Sequence, residues 1–209
     1  MNGKLLRFPP PSSAAPVAAV APDPAAGSSL SDESLVVACG NGDNAALGEL
    51  FDRLHQTVYR FLSRYLGPSN PDIDDLVQAT FLELRRAAPR FRKEAPVNRW
   101  ILGIAINVVR HYLRSEKRRR TMLRSDDLRQ GQEVGSPESM TAKNECLQRL
   151  QETILELPEH LKTAFVMCEL EGVSGAEAAR LLNLREGTLW RRLHDARKLI
   201  RKCFERGTA

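Results

Sequence analysis

The chain has 209 residues, 42% hydrophobic and 27% charged, which suits one ordinary domain or two small ones and argues against global disorder. No apolar run approaches the roughly 20 residues that span a bilayer, and Pro9-Pro10-Pro11 cuts off any signal-peptide core, so membrane insertion is not expected. The net charge of +5 is uneven: residues 85–124 hold 13 Lys/Arg against Glu94 and Glu116, and residues 185–206 hold 8 against Glu186, Asp195 and Glu205, on an otherwise acidic body.

Residues 1–30 contain six of the twelve prolines and one aromatic, Phe8, and are expected to form a disordered arm. Ser31 can cap a helix carrying Leu35, Val36 and Val37, which Gly40-Asn41-Gly42 stops. Asp43 can cap the next, where Leu47, Leu50, Phe51, Leu54, Val58, Phe61, Leu62 and Tyr65 follow helical spacing up to Gly67-Pro68. A third helix starts at Asp72 and runs through Leu76, Val77, Phe81 and Leu84 to about Ala88. After the break at Pro96, Trp100, Ile101, Ile104, Ala105, Val108, Val109 and Tyr112 line one side of a fourth. Residues 121–143 lose this periodicity and have the composition of a flexible linker.

Helical spacing resumes with Cys146, Leu147, Leu150, Ile154 and Leu157, and Pro158 opens a further helix with Leu161, Phe165 and Cys168. Ser174 and Glu177 have the spacing of a capping box, and Asn183 suits a left-handed turn. Beyond it Leu189, Leu193, Ala196 and Ile200 form one apolar stripe, with Arg191, Arg192, Arg197, Lys198, Arg201 and Lys202 on the remaining faces. No segment alternates like a strand, so the expected fold is all-α: two small helical domains, 31–120 and 144–206, joined by the linker.

A short helix, a tight turn and a longer basic helix have the layout of a helix-turn-helix, whose second helix fits the DNA major groove. Helix four independently presents Asn107, Arg110, His111 and Arg114 as a polar stripe, continued by Lys117-Arg118-Arg119-Arg120. Asn and Arg can pair with base edges and the neighbouring cations can hold phosphates. Trp100, on the apolar stripe, is read as a core residue sooner than as a stacking platform. Asp72, Asp74 and Asp75 are read as partners of a helix dipole sooner than as metal ligands. The four isolated histidines give no catalytic motif, and the four cysteines match neither a zinc spacing nor a disulfide framework. No enzyme activity, metal or cofactor is expected, and the cysteines read as reduced, in a cytoplasmic protein.

Leu157-Pro158-Glu159, Phe165, Gly172-Val173-Ser174, Gly187-Thr188-Leu189 and Arg192-Leu193-His194-Asp195-Ala196-Arg197 together resemble region 4 of extracytoplasmic-function (ECF) sigma factors. Asp74-Asp75-Leu76-Val77-Gln78-Ala79-Thr80-Phe81, Arg90-Phe91-Arg92, Arg99-Trp100-Ile101 and Ile104-Ala105-Ile106-Asn107 resemble region 2 of the same family. The resemblance implies an alternative sigma factor that docks on core RNA polymerase, recognises −35 duplex and −10 DNA, and helps open the start site, placing the active protein on the bacterial nucleoid. It implies −35 contacts from Arg185, Glu186, Thr188, Trp190, Arg191, Arg192, Arg197 and Lys198. It implies −10 contacts from Arg92, Asn98, Asn107, Arg110, His111, Arg114, Lys117 and Arg118, with 92–98 as the pocket for unstacked bases. Asp74, Asp75, Gln78 and Phe81 would face the β′ clamp helices and region 4 the β flap, with an anti-sigma factor as a further partner.

Two positions depart from the pattern: Ala79 stands where the family usually has Glu, and Trp190 where it usually has a basic or small polar residue. Trp190 either contacts a thymine methyl or sugar face, or folds over the Leu182–Leu184 turn. The rival reading, a helix-turn-helix regulator with an N-terminal sensing half, explains 150–203 equally well but leaves the other basic block and Asp74–Phe81 unexplained.

Overall fold

The computed structural model describes residues 30–123 and 142–206; the expected arm, except Leu30, and most of the expected linker lie outside the described residues. Eight α-helices follow one another there without a strand. None is long and apolar enough to cross a membrane.

Helix α1 (Asp32–Gly40) begins where Ser31 Oγ accepts the Ser34 amide at 3.2 Å. Helix α2 (Asn44–Leu66) begins where Asp43 Oδ1 accepts the amides of Ala45 and Ala46 at 2.8 and 3.2 Å. These side chains satisfy backbone donors that the first turn leaves without helical partners. Gly67 ends α2 with φ +93°, a region open mainly to glycine. Helices α3 (Ile73–Ala87) and α4 (Val97–Leu123) complete a four-helix unit, with a single 3₁₀ turn, Ala88–Arg90, between them. Its core holds Leu35, Leu50, Phe61, Leu62, Leu84, Ile101 and Ile106, each no more than 1% exposed. Thr121 Oγ1 donates to the Lys117 carbonyl at 2.8 Å, and α4 runs three residues past the expected boundary at 120.

The second unit is built from α5 (Ala142–Glu156), α6 (Glu159–Phe165) with a π turn at Val166–Leu170, α7 (Gly175–Leu181) and α8 (Glu186–Arg206). Leu189, Leu193, Ala196 and Ile200 are all buried, as their spacing predicts, and share one core with Ala164, Phe165, Met167 and Ala178. Asn183 takes φ +53° at the α7–α8 turn, the left-handed conformation its residue type tolerates. Only half of the expected capping box forms: Ser174 Oγ accepts the Glu177 amide at 3.4 Å, while the Glu177 carboxylate is drawn away to Arg99 of α4.

The two helical units are joined by a buried hydrogen bond, Tyr65 Oη to Thr163 Oγ1 at 2.9 Å. Thr163 spends its own proton on the Glu159 carbonyl at 2.8 Å, so Tyr65 is the donor. Burial pushes the Tyr65 phenol up to about 12. In the unfolded chain it ionises near 10, so between these values unfolding releases a proton and stability falls as pH rises. Tyr65→Phe should therefore cost about 1 kcal/mol at neutral pH for the lost bond. The gap to the parent chain should narrow between pH 10 and 12, as thermal melts across that range would show; a constant gap would contradict the assignment.

Candidate nucleic-acid interface

Along α4, Asn107, His111, Arg114, Lys117 and Arg118 are exposed, and the last three line a shallow hollow with Thr121 and Met122. Arg92 is exposed in the loop before α4, and Asn98 is exposed in the first turn of α4. Within that loop Lys93 holds φ +57°, an uncommon conformation for a side-chain-bearing residue. Phe91 and Trp100 lean together with ring centroids 4.7 Å apart, both half-buried, which agrees with a packing role for Trp100.

Arg110 differs from the rest of the expected stripe. Its side chain is 19% exposed, and its Nε lies 3.3 Å from Glu159 at the start of α6. Arg99, not among the expected site residues, gives its guanidinium to Glu177 at 2.6 Å. Between them Leu181 lies over Gly103, where an added Cβ would stand 3.5 Å from two Leu181 carbons. Arg99, Gly103 and Arg110 thus form one edge of α4, and Glu177, Leu181 and Glu159 cover it. Ile101 to Ile106 are buried on every side for this reason, where a single apolar side was expected. A third pair, Arg64 with Glu171 at 2.8 Å, joins α2 to the residues just after the π turn. All three pairs set an arginine of the first unit against a glutamate of the second. Each pair keeps one partner partly exposed, so each contributes no more than about 1 kcal/mol and weakens with salt. A cleft of about 230 Å³ opens beside them, lined by Arg90, Phe91, Arg92, Trp100, Glu177 and Arg180 among others.

Arg185, just before α8, is exposed, as are Glu186, Thr188, Arg191 and Lys198 on it, while Trp190 is 45% exposed and Arg192 is half-buried. Arg197 is engaged within its own unit, its Nε donating to Glu169 Oε1 at 3.1 Å, which fixes the middle of α8 to the π turn. Arg191 and Lys198, seven residues apart, are outward cations on one face about two turns apart. The indole of Trp190 rests on Gly175 at the start of α7.

On α3, Asp74, Asp75 and Gln78 are exposed on the outer side. Phe81 was expected beside them and is not: it is 3% exposed and packs on Phe51 with centroids 4.9 Å apart, because it shares the Val77–Leu84 core register. The next residue, Leu82, is 58% exposed and stands one turn after Gln78. Asp72 is tied to α4 through Tyr112 Oη at 2.6 Å, a structural use of the first of the three acidic residues.

The Sigma-70 region 2 family matches residues 50–119, and the Sigma-70 region 4 family residues 147–200. The ECF RNA polymerase sigma-E factor of Haemophilus influenzae is 33% identical over 179 residues, 82% of this chain and 94% of its own length. That of Escherichia coli strain K12 is 32% identical over 179 residues, 82% and 93% of the two chains. The fold is similar to CnrH, solved in complex with the cytosolic domain of CnrY (TM-score 0.58, 23% identity, 83% of this chain and 97% of the other). It is also similar to the sigma factor RpoE of Bartonella quintana, solved with the anti-sigma factor NepR (TM-score 0.57, 19% identity, 76% and 96%).

Two helical units in this order, the second closing on a helix-turn-helix, make an all-α transcription-initiation protein. The chain belongs to the ECF RNA polymerase sigma factors, and it is an alternative sigma factor directing transcription initiation.

Proposed function

We propose that this sigma factor, in the cytoplasm, binds core RNA polymerase through the outer side of α3. Asp74, Asp75 and Gln78 would meet the β′ clamp helices with Leu82, in place of Phe81, as the apolar contact; the second unit would meet the β flap. Arg185, Glu186, Thr188, Arg191, Arg192 and Lys198 would place α8 on −35 duplex. Arg92, Asn98, Asn107, His111, Arg114, Lys117 and Arg118 would take the −10 strand once it is unpaired. The boundaries 31–120 and 144–206 would mark the two working units. The protein supplies recognition and strand capture, and the chemistry of RNA synthesis belongs to the polymerase. An anti-sigma factor is a natural partner, since the similar RpoE fold was solved with the anti-sigma factor NepR.

The observation that carries this reading is the separation of two exposed basic faces, one on a major-groove-sized helix and one beside an aromatic-lined loop. Duplex recognition needs the former; single-strand capture needs a cationic track with stacking surfaces nearby. Arg99 and Arg110 join the second face only after Glu177 and Glu159 let them go, so engagement includes a parting of the two units. Arg110→Ala with Arg114→Ala should weaken binding of holoenzyme to a −10 single strand while leaving core binding intact, measured by fluorescence anisotropy. Loss of core binding with DNA affinity untouched would reverse the assignment of faces.

A further inference from the structure

Trp190 lies 100° around α8 from the buried Leu189. It therefore stands on the border between the core stripe and the outward face that carries Arg191 and Lys198. Its indole is seated on the backbone of Gly175, the first residue of α7. A Cβ built at Gly175 would stand 2.9 Å from Trp190 Cε2 and 3.1 Å from Cη2, with Cζ2 nearer still. Carbon atoms in contact prefer separations of about 3.5–4.0 Å, so the indole in this position and a side chain at 175 exclude one another. Gly175 is itself buried, whereas 45% of Trp190 faces outward. Alanine is the better helix former, so glycine at this position is explained by the ring above it.

We infer that Gly175 and Trp190 act as one unit that sets the −35 base preference. Gly175 is the positioning residue: it lets one side of the indole sink onto α7. The other side is then held as a rigid apolar edge on the border of the recognition face. Its complement in the major groove is the thymine C5-methyl group, the one apolar feature that base pairs present there. A cation at this position would be mobile and would favour phosphate or guanine. The inference rests on the proposed placement of α8 on −35 DNA.

The test uses holoenzyme and a promoter library randomised across the −35 element, read by transcript enrichment, alongside thermal melts of the free protein. Trp190→Ala should reduce thymine enrichment at one or two adjacent positions by about fivefold, equivalent to about 1 kcal/mol and at the low end for a base-edge contact. Gly175→Ala should shift the same positions by unseating the ring, yet add nothing in the Trp190→Ala background. The melts should show a reversal of sign: Gly175→Ala lowers the midpoint of the parent chain by about 3 °C, the scale of a 1 kcal/mol change in a chain this long. In the Trp190→Ala background it should leave the midpoint level or raise it. Independent, additive shifts at different positions would overturn the coupling. Unchanged −35 preference in Trp190→Ala, with only a lower melting point, would reduce the indole to packing and overturn the proposal. Arg191→Ala with Lys198→Ala is the control for the underlying placement. If that variant binds −35 duplex as the parent does, the placement of α8 is wrong and the specificity role falls with it, whatever the melts show.

Discussion

Replacing Arg114, Lys117 and Arg118 together by alanine should reduce holoenzyme affinity for a −10 single strand on the order of 100-fold or more at low salt. The three side chains are exposed on the last turns of α4, so their removal leaves the core of the first unit intact. Each phosphate released should flatten the dependence of log K on log salt by about 0.7 for a single strand, about 2 for the three together. A reduced slope separates lost phosphate contacts from a misfolded protein, which would lose affinity at every salt concentration. Retained affinity with the parent's slope would show that the strand does not run along the end of α4.

The second large effect should come from a wedge. Gly103 is buried in α4, and the three nearest atoms that an added Cβ would meet there belong to Leu181 of α7. Gly103→Ala fits, because 3.5 Å is ordinary van der Waals contact, and it removes a helix-interior glycine that costs about 1 kcal/mol relative to alanine. Gly103→Gln does not fit: the longer side chain must displace Leu181 and with it the Arg99–Glu177 and Arg110–Glu159 pairs. The wedge variant should expand in small-angle scattering and bind the −10 strand about tenfold more tightly in the absence of core. That is the gain expected when a closed form populated roughly ten to one no longer competes. Gly103→Ala should do neither. If Gly103→Gln expands the chain without a gain in affinity, the covered arginines take no part in binding DNA.

Much of this architecture is written in local patterns. Ser31, Asp43 and Ser174 mark helix starts because their side-chain oxygens accept amides two or three residues ahead, a relation contained within one turn. The Leu189–Ile200 stripe and the left-handed Asn183 are equally local. The covered edge of α4 is not: Arg99 and Glu177 are 78 residues apart, and periodicity reports burial against a helix's own unit, not what closes over its far side. Leu102, Gly103 and Ile106 carried the available signal, three residues off the expected stripe that are themselves apolar or small.

The candidate site was legible in the same proportion. Most of the expected −10 and −35 residues lie at the surface, because a charged side chain on the outer face of an amphipathic helix has nowhere else to go. Phe81 and Leu82 show the limit: both neighbours are apolar, and a register difference of one residue decides which is core and which is exposed. Arg197 shows another, since a basic residue on a recognition helix can equally serve as a brace, here to Glu169. The seat of Trp190 depended on the angle between α7 and α8, which no single-helix pattern contains.

The central claim is that this chain confers promoter-specific initiation on core polymerase. Run-off transcription tests it directly, with purified bacterial core, this protein and templates drawn from its own genome's upstream regions. Discrete transcripts should appear only when core and protein are combined, and they should vanish when Arg114, Lys117 and Arg118 are replaced. A core that stays silent with the folded protein present, on templates the protein itself binds, would contradict the account.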